Sequence, residues 1–310
     1  MTRVADRLLI AGVGLIGASL GMALRERGVV GEIVGLGRSA ENLRVARRRG
    51  AIDRGERDPA RACRDVDLVV VATPVGTIAP LVATLARTLP VHAVITDTGS
   101  VKASVVAAVE RALGTTAGRF CGSHPIAGTE LAGARAAEHD LLRGHRCILT
   151  PTATTAATAR RRVRALWTAA GMQVEELTAA RHDHLYALVS HLPQTIATAL
   201  VNAVVAGEPA GRALAYAGGG FRDTTRIAKS QAMMWRDILL ANRTPVLAAL
   251  DRFAVAYDRL RAAVASGNGG AIEAELRRAA TARRRLDAPP LHPGTAGTTS
   301  RRRMGRGGPS

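Results

Sequence analysis

The chain has 310 residues, 47% hydrophobic and 22% charged, which excludes a disordered protein and leaves room for one large domain or two. Its net charge of +18 comes almost entirely from arginine, and aromatic residues make up only 3% of the sequence. With few aromatic side chains to stack on bases and no recognition motif, we expect no nucleic-acid partner. The charge instead suits attraction of an anionic substrate and cofactor.

Three cysteines at unrelated spacings and no leader segment predict a reduced, cytoplasmic protein. Residues 8–24 are apolar but too short for a membrane span, and their glycines fall at turn spacing. We therefore expect no membrane partner.

The N-terminal stretch predicts a strand, a glycine-rich turn and a helix. Gly12, Gly14 and Gly17 have the spacing of a dinucleotide-binding loop, in which the glycines turn the chain, admit the pyrophosphate and pack helix on strand. The pyrophosphate would lie at the helix N-terminus, beside Leu15 and Ile16. The alternative is an ordinary glycine-rich turn.

The second predicted strand, residues 32–37, is followed by Arg38 and Ser39. NAD-binding proteins commonly have a carboxylate at this point, which holds the ribose and repels a 2′-phosphate. Arg38 and Ser39 can bind that phosphate instead, so we expect NADP to be preferred, with NAD as the alternative cofactor. Arg38 could also be a plain surface residue.

Two further apolar runs, residues 67–73 and 93–98, predict buried parallel strands that end at one sheet edge. Thr73 and Pro74 end the first run and would contact the cofactor. Ser100 follows the second, where it can hydrogen-bond a substrate hydroxyl or the nicotinamide, or cap the next helix.

His124 lies between a short strand-like run and Pro125, in a stretch that we interpret as a loop. Proline excludes the α conformation for the residue before it, so the imidazole is held in place. A neutral imidazole there can accept a proton from a substrate. The alternative is a histidine that only hydrogen-bonds the loop backbone.

The fold predicted from these patterns is α/β: a Rossmann-like, doubly wound parallel sheet in residues 1–178, followed by an all-helical domain in residues 179–286. A basic tail, residues 287–310, is rich in Pro, Gly and Ser and is expected to be disordered. Several predicted helices are apolar on more than one face, which indicates contact with a second subunit. The predicted helices cover residues 155–170, 179–190, 193–206, 213–217, 233–242 and 244–267, and further strands residues 146–150 and 172–177.

Read in order, these motifs resemble the prephenate/arogenate dehydrogenases of tyrosine biosynthesis, over roughly residues 8–260. The resemblance also rests on the stretches at residues 97–102, 182–183, 190–193 and 219–228. It implies oxidative decarboxylation of prephenate to 4-hydroxyphenylpyruvate, with His124 as acceptor for the substrate hydroxyl, Ser100 orienting it, and a homodimer formed by the helical domain. No length remains for an appended regulatory domain, so we expect a single activity.

The substrate of such an enzyme carries two carboxylates, and the guanidinium fork of Arg226 suits one of them. Arg226 could instead be paired to Asp223 or Asp237. The resemblance implies that His182 and Asp183 line the site, with Asp183 reaching Arg226 across the dimer or capping a helix. His182 and His184 are two positions apart on a helix, which disfavours a metal site.

Two residues bear on the substrate's side chain. Gln194 stands where many prephenate-using relatives have a second histidine, which leaves the preference between prephenate and arogenate open. Trp235 is either a pocket wall or part of the core.

Two other classes of protein compete with this interpretation. Hydroxyacid dehydrogenases with a helical second domain commonly use a lysine base in that domain, for which Lys229 is the candidate. A non-enzymatic Rossmann-type binding protein would bind a cofactor without turning over a substrate.

Overall fold

A computed structural model describes residues 3–129, 131–207 and 212–286. The chain divides into two compact units, Met1–Leu250 and Asp251–Ser310. The predicted disordered tail, residues 287–310, lies outside the described residues.

Eight strands occur among the described residues of the first unit. They are β1 (Ala5–Ala11), β2 (Val30–Leu36), β3 (Arg54–Glu56), β4 (Leu68–Val71), β5 (Val94–Asp97), β6 (Gly122–Pro125), β7 (Arg146–Thr150) and β8 (Gln173–Glu176).

Five of these strands form a parallel sheet in the order β3-β2-β1-β4-β5. Leu8 and Ile10 of β1 face one buried cluster, whereas Leu9 and Ala11 face the other. Both faces of the sheet are thus covered, which explains why β4 is an unbroken run of apolar residues. The parallel Rossmann-like sheet predicted from the sequence is confirmed.

The other three strands form a second, mixed sheet in the order β6-β7-β8. Here β6 is antiparallel to β7, and β7 is parallel to β8. The Cys121 N–H donates to the Ile95 carbonyl at 3.0 Å, which ties the start of β6 to β5. His124 therefore lies on a strand, and its assignment to a loop was wrong because the residue before a proline also fits a sheet edge.

The helices predicted at residues 155–170, 213–217, 233–242 and 244–267 are found within a few residues of those bounds, and several helices that were not predicted occur besides. In chain order the helices are α1 (Leu15–Glu26), α2 (Ala40–Arg48), α3 (Pro59–Ala62), α4 (Val75–Leu85), α5 (Ala103–Leu113), α6 (Ala157–Ala169), α7 (Ala179–Tyr186), α8 (Leu192–Gly207), α9 (Arg212–Ala215), α10 (Gly219–Thr225), α11 (Ala232–Ala241), α12 (Arg243–Ala265) and α13 (Gly269–Arg284).

One helical segment, Ala179–Gly207, departs from the prediction of two separate helices. A single π-helical stretch, Ala187–His191, joins α7 to α8 without a break. Such stretches widen a helix locally and are frequent at functional sites. By length and composition alone this segment could cross a membrane, with a mean hydropathy of 1.3, and only 17% of its most apolar window is buried.

The second unit contains the greater part of α12 and all of α13. The Asn268 side chain caps α13 by accepting the Ala271 N–H at 3.0 Å. Helix α13 was not predicted, because its apolar residues are few and most of its surface is exposed.

Candidate active site

The glycine loop between β1 and α1 has the geometry that a dinucleotide needs. Gly12 has φ +101°, and a Cβ there would lie 2.5 Å from the Ala72 carbonyl oxygen. A Cβ on Gly17 would lie 2.3 Å from the Gly12 carbonyl oxygen, so both positions need glycine. A Cβ on Gly14 would meet no other atom within 4 Å, so this side of the loop is open toward the start of α1, where a pyrophosphate would bind.

Leu15 and Ile16 form the first turn of α1, where backbone N–H groups have no helical partner. Thr73 and Pro74 lie at the end of the neighbouring strand β4. The Thr73 hydroxyl is buried and has no hydrogen-bond partner among the described residues. A cofactor that runs across this sheet edge would supply that partner, so the residues present fit a nicotinamide dinucleotide.

Arg38 is exposed just beyond β2. The Ser39 hydroxyl caps α2 by accepting the Asn42 N–H at 3.2 Å, and it keeps its own proton for another acceptor. No carboxylate follows β2 directly, since Gly37 precedes Arg38.

Asn42, which the sequence analysis did not single out, braces the glycine loop. Its side-chain amide donates to the Val13 carbonyl at 2.6 Å, and its oxygen accepts the Ala134 N–H at 3.0 Å. The spacing of the motif gives no signal for Asn42, because the two contacts join distant parts of the chain.

A buried ion-pair cluster lies at the carboxyl end of β5. The Lys102 ammonium pairs with the Asp97 carboxylate, and both side chains are fully buried. The ammonium also donates to the Ser123 carbonyl at 2.8 Å, and Asp97 accepts the Ser123 N–H at 3.0 Å. The Ser123 hydroxyl in turn contacts Thr96 at 2.8 Å and accepts the Trp167 indole N–H at 2.9 Å. This cluster fixes the backbone of β6 beside the edge of the parallel sheet.

Ser100 lies between Asp97 and Lys102 and is partly exposed. It does not cap α5, because Lys102 occupies the N-cap position. Instead the Asp183 carboxylate accepts the Lys102 N–H at 2.7 Å and the Ala103 N–H at 2.8 Å. Asp183 thus caps a helix, although not its own.

His124, His182 and Asp183 form a hydrogen-bonded chain. His124 Nδ1 lies 2.8 Å from His182 Nε2, and His182 Nδ1 lies 2.8 Å from Asp183 Oδ1. Burial and the neighbouring His182 and Lys102 hold the pKa of His124 well below its usual value of 6.5. Burial also lowers the pKa of His182, although Asp183 opposes that shift. Both rings are therefore neutral near pH 7.

Tyr186 is a site residue that the sequence analysis did not single out. Its ring stacks on His182 with centroids 4.5 Å apart and tilts against His124 at 5.0 Å. Burial raises the pKa of its hydroxyl to about 12. Tyr186 lies one helical turn after His182, so a helical wheel would have placed it on the same face.

A second buried group, which we call the helical cluster, consists of His191, Gln194, Trp235 and Asn242. The Asn242 side chain lies 3.0 Å from His191 Nδ1 and donates to the Asp183 carbonyl at 2.9 Å. The Trp235 ring meets His191 edge-on at 5.9 Å. His191 Nε2, Gln194 Oε1 and Trp235 Nε1 are buried without partners among the described residues.

Arg226 begins the short 3-10 helix Arg226–Lys229, which packs against α8, the helix that carries Gln194. Its side chain is exposed, as is that of Lys229. Asp237, one of the predicted alternative partners of Arg226, pairs with Arg236 at 2.7 Å.

Comparison with known proteins gives matches along most of the chain. The family model described as the nucleotide-binding domain of prephenate dehydrogenase matches residues 20–176, and the model for its dimerization domain matches residues 178–278. A cyclohexadienyl dehydrogenase of Zymomonas mobilis is 36% identical over 271 residues, which cover 86% of this chain and 91% of that protein.

Two solved structures are also similar. Prephenate dehydrogenase of Aquifex aeolicus, in complex with hydroxyphenyl propionate and NAD+, has a TM-score of 0.85 and 34% identity, covering 91% of this chain and 98% of that one. Synechocystis arogenate dehydrogenase has a TM-score of 0.76 and 28% identity, covering 90% of this chain and 99% of that one. The chain therefore belongs to the prephenate dehydrogenase family of NAD-dependent oxidoreductases.

Proposed function

We propose that this protein oxidises and decarboxylates prephenate to 4-hydroxyphenylpyruvate. The observation that carries the proposal is His124, a neutral histidine that is hydrogen-bonded through Nδ1 and lies on β6 of the second sheet, beside β5 of the sheet that holds the glycine loop. In this reaction the hydroxyl-bearing ring carbon is oxidised, the hydroxyl loses its proton, and the ring carboxylate leaves as carbon dioxide. Formation of an aromatic ring makes the overall change favourable.

His124 would accept the hydroxyl proton, and only a neutral imidazole can do so. Ser100, partly exposed beyond β5, would orient the same hydroxyl by a hydrogen bond. A bound nicotinamide dinucleotide would supply the acceptor for the two electrons that the ring loses. The ion-pair cluster beneath β6 would keep His124 in position through this sequence of events.

NADP is proposed as the preferred cofactor over NAD. The support is chemical: Arg38 and the free proton of Ser39 can bind a 2′-phosphate, and no carboxylate follows β2 to repel it. The glycine loop, Thr73 and Pro74 would hold the remainder of either dinucleotide.

The substrate's two acidic groups would be held from the helical part of the first unit. Arg226 would bind one carboxylate, because its fork suits two oxygen atoms. The buried atoms of Gln194 and Trp235 that have no partner among the described residues would contact the side chain of the substrate. An amide can accept from the ammonium group of arogenate or donate to the keto acid of prephenate, so arogenate is the second candidate substrate.

A homodimer is proposed through the helical part of the chain. Exposed apolar side chains there include Val189, Met233, Leu240 and Leu247, all of which are about half or more exposed. The apolar segment Ala179–Gly207 also bears buried polar residues of the site, His182 and Asp183 among them, which suits a helix covered by a second copy better than one covered by lipid. Light scattering on the purified protein would give twice the chain mass, whereas a monomer would contradict the proposal.

The division into a nucleotide-binding domain at residues 1–178 and a helical domain at residues 179–286 is also proposed. It is supported by the matches to the two family models, which adjoin at residues 176 and 178. A cytoplasmic location is proposed as well, supported by three buried free thiols.

The test of function offers prephenate and arogenate separately, each with NADP and with NAD, and follows the near-ultraviolet absorbance of the reduced cofactor. Turnover of prephenate with the higher kcat/KM for NADP is the expected result. A higher kcat/KM for arogenate than for prephenate would make arogenate the preferred substrate. No turnover with any of the four pairs would overturn the proposal and favour the hydroxyacid dehydrogenase or binding-protein alternatives.

A further inference from the structure

His182 and Asp183 lie behind His124, where a substrate cannot reach them. Their side chains are 0% and 3% exposed, whereas His124 keeps part of its surface accessible. Every polar atom of these two side chains has a partner: Asp183 Oδ1 and Oδ2 face the start of α5, and the two nitrogens of His182 face Asp183 and His124. This placement suits support of His124 and not the substrate contact that the resemblance implied.

In the hydrogen-bonded series His124–His182–Asp183, the acceptor at the end, Asp183, determines which ring nitrogen of each histidine carries the proton. Asp183 accepts two backbone N–H groups at the N-terminus of α5, one at each carboxylate oxygen. Because both oxygens of this carboxylate act as acceptors, the nearby His182 Nδ1 carries the proton. A neutral His182 then accepts at Nε2, and His124 must donate to it from Nδ1.

We propose that Asp183, acting through His182, is a positioning residue that fixes His124 in the Nδ1–H tautomer and leaves its Nε2 lone pair for the substrate hydroxyl. The inference rests on the proposed function of His124. The Asp183 carboxylate also caps α5 at Lys102, two residues after Ser100. One side chain therefore positions both His124 and Ser100, the two groups that would contact the substrate hydroxyl. Tyr186 packs on both rings and limits their rotation.

A simpler role for Asp183 is helix capping alone, which would affect stability and nothing else. The two roles differ in what they predict for the protons of His124. Capping predicts no link between His182 and the tautomer of His124, whereas positioning predicts that loss of the His182 acceptor releases that tautomer.

The experiment uses the full chain with labelled histidine nitrogen and bound cofactor, and long-range proton–nitrogen NMR spectra to identify each tautomer near pH 7.5. His124→Asn and His182→Gln assign the two signals. In the unsubstituted protein both rings are expected in the Nδ1–H form. Finding His124 in the Nε2–H form would overturn the proposal, and this readout requires neither turnover nor a substituted protein.

Two substitutions of His182 then test the link. His182→Leu removes the acceptor, so His124 should become a mixture of tautomers and kcat should fall roughly 10- to 100-fold, with cofactor Kd unchanged. His182→Gln keeps an acceptor oxygen and should retain the Nδ1–H form and most of kcat. An unchanged tautomer in His182→Leu would overturn the proposal.

Asp183→Ala should also release the tautomer and lower kcat about tenfold. The control is Asp58→Ala, which removes a carboxylate that caps another helix, α3, by accepting the Ala60 N–H at 3.0 Å. The control should lose stability without change in kcat or in the His124 signal. If no candidate substrate is turned over but the tautomer responds as expected, the proposed function fails and the positioning role stands.

Discussion

The ion-pair cluster and the helical cluster are both buried and polar, but they differ in how many of their polar atoms have hydrogen-bond partners. In the ion-pair cluster, Asp97, Lys102, Ser123 and the Trp167 indole all have hydrogen-bond partners. The helical cluster leaves three buried atoms, on His191, Gln194 and Trp235, without partners among the described residues.

This difference distinguishes a cluster that stabilises the fold from one that could bind a ligand. A buried polar atom without a partner costs roughly 1–3 kcal/mol. Such atoms in a folded protein need an explanation, and a ligand that supplies the missing hydrogen bonds is one. The ion-pair cluster is therefore interpreted as scaffold, and the helical cluster as the wall that receives the substrate.

The largest expected effect is on the scaffold. Lys102→Met removes the cation and leaves the Asp97 carboxylate buried without it, which should lower the free energy of unfolding by about 3–5 kcal/mol. Urea unfolding measures the loss. Arg236→Met is the control, because it breaks an exposed pair with Asp237 and should cost less than ~1 kcal/mol. Equal losses in the two variants would show that the buried pair is not what holds this region.

The next effect is on chemistry and leaves the scaffold intact. His124→Asn should lower kcat by roughly 10²-fold or more, with cofactor Kd little changed, because it removes a positioned proton acceptor. Steady-state kinetics and cofactor titration measure both. His92→Asn, at an exposed histidine, should leave kcat unchanged. Full activity in His124→Asn would mean that another group accepts the proton.

Local sequence patterns predict many of the strands, helices and turns, but few of the contacts between them. The strand at residues 146–150 and the glycine loop were predicted as found, because a short run of apolar residues and glycine spacing are local signals. The strand position of His124 was missed, since its short run includes a proline and few apolar residues.

Contacts between distant residues gave no local signal at all. His124 meets His182 across 58 positions, and Lys102 meets Asp183 across 81. The roles of individual site residues therefore stay predictions, whereas the fold and the family are established.

A smaller effect is expected at the wall. Gln194→Leu removes a buried acceptor that has no partner, so it should raise substrate KM about tenfold, or ~1.4 kcal/mol, while stability stays equal or rises. Thr198→Ala is the control, because its hydroxyl only bonds the Gln194 carbonyl within α8 at 2.9 Å. A loss of stability in Gln194→Leu with unchanged KM would show that Gln194 stabilises the fold and does not contact the substrate.

The smallest effect is a pH dependence of stability at His191. Burial lowers the pKa of His191 to about 4, well below its usual value of 6.5. Acid protonates the unfolded chain first, so this contribution to stability is complete above about pH 6.5 and is lost as the pH falls toward 4. Between pH 7 and pH 6 the loss should be somewhat under ~1 kcal/mol for this residue, measured by urea unfolding. His191→Asn keeps an acceptor for Asn242 and should reduce the slope, because an amide does not titrate. An unchanged slope would place the acid sensitivity at His124 or His182 instead, since burial lowers the pKa of those rings too.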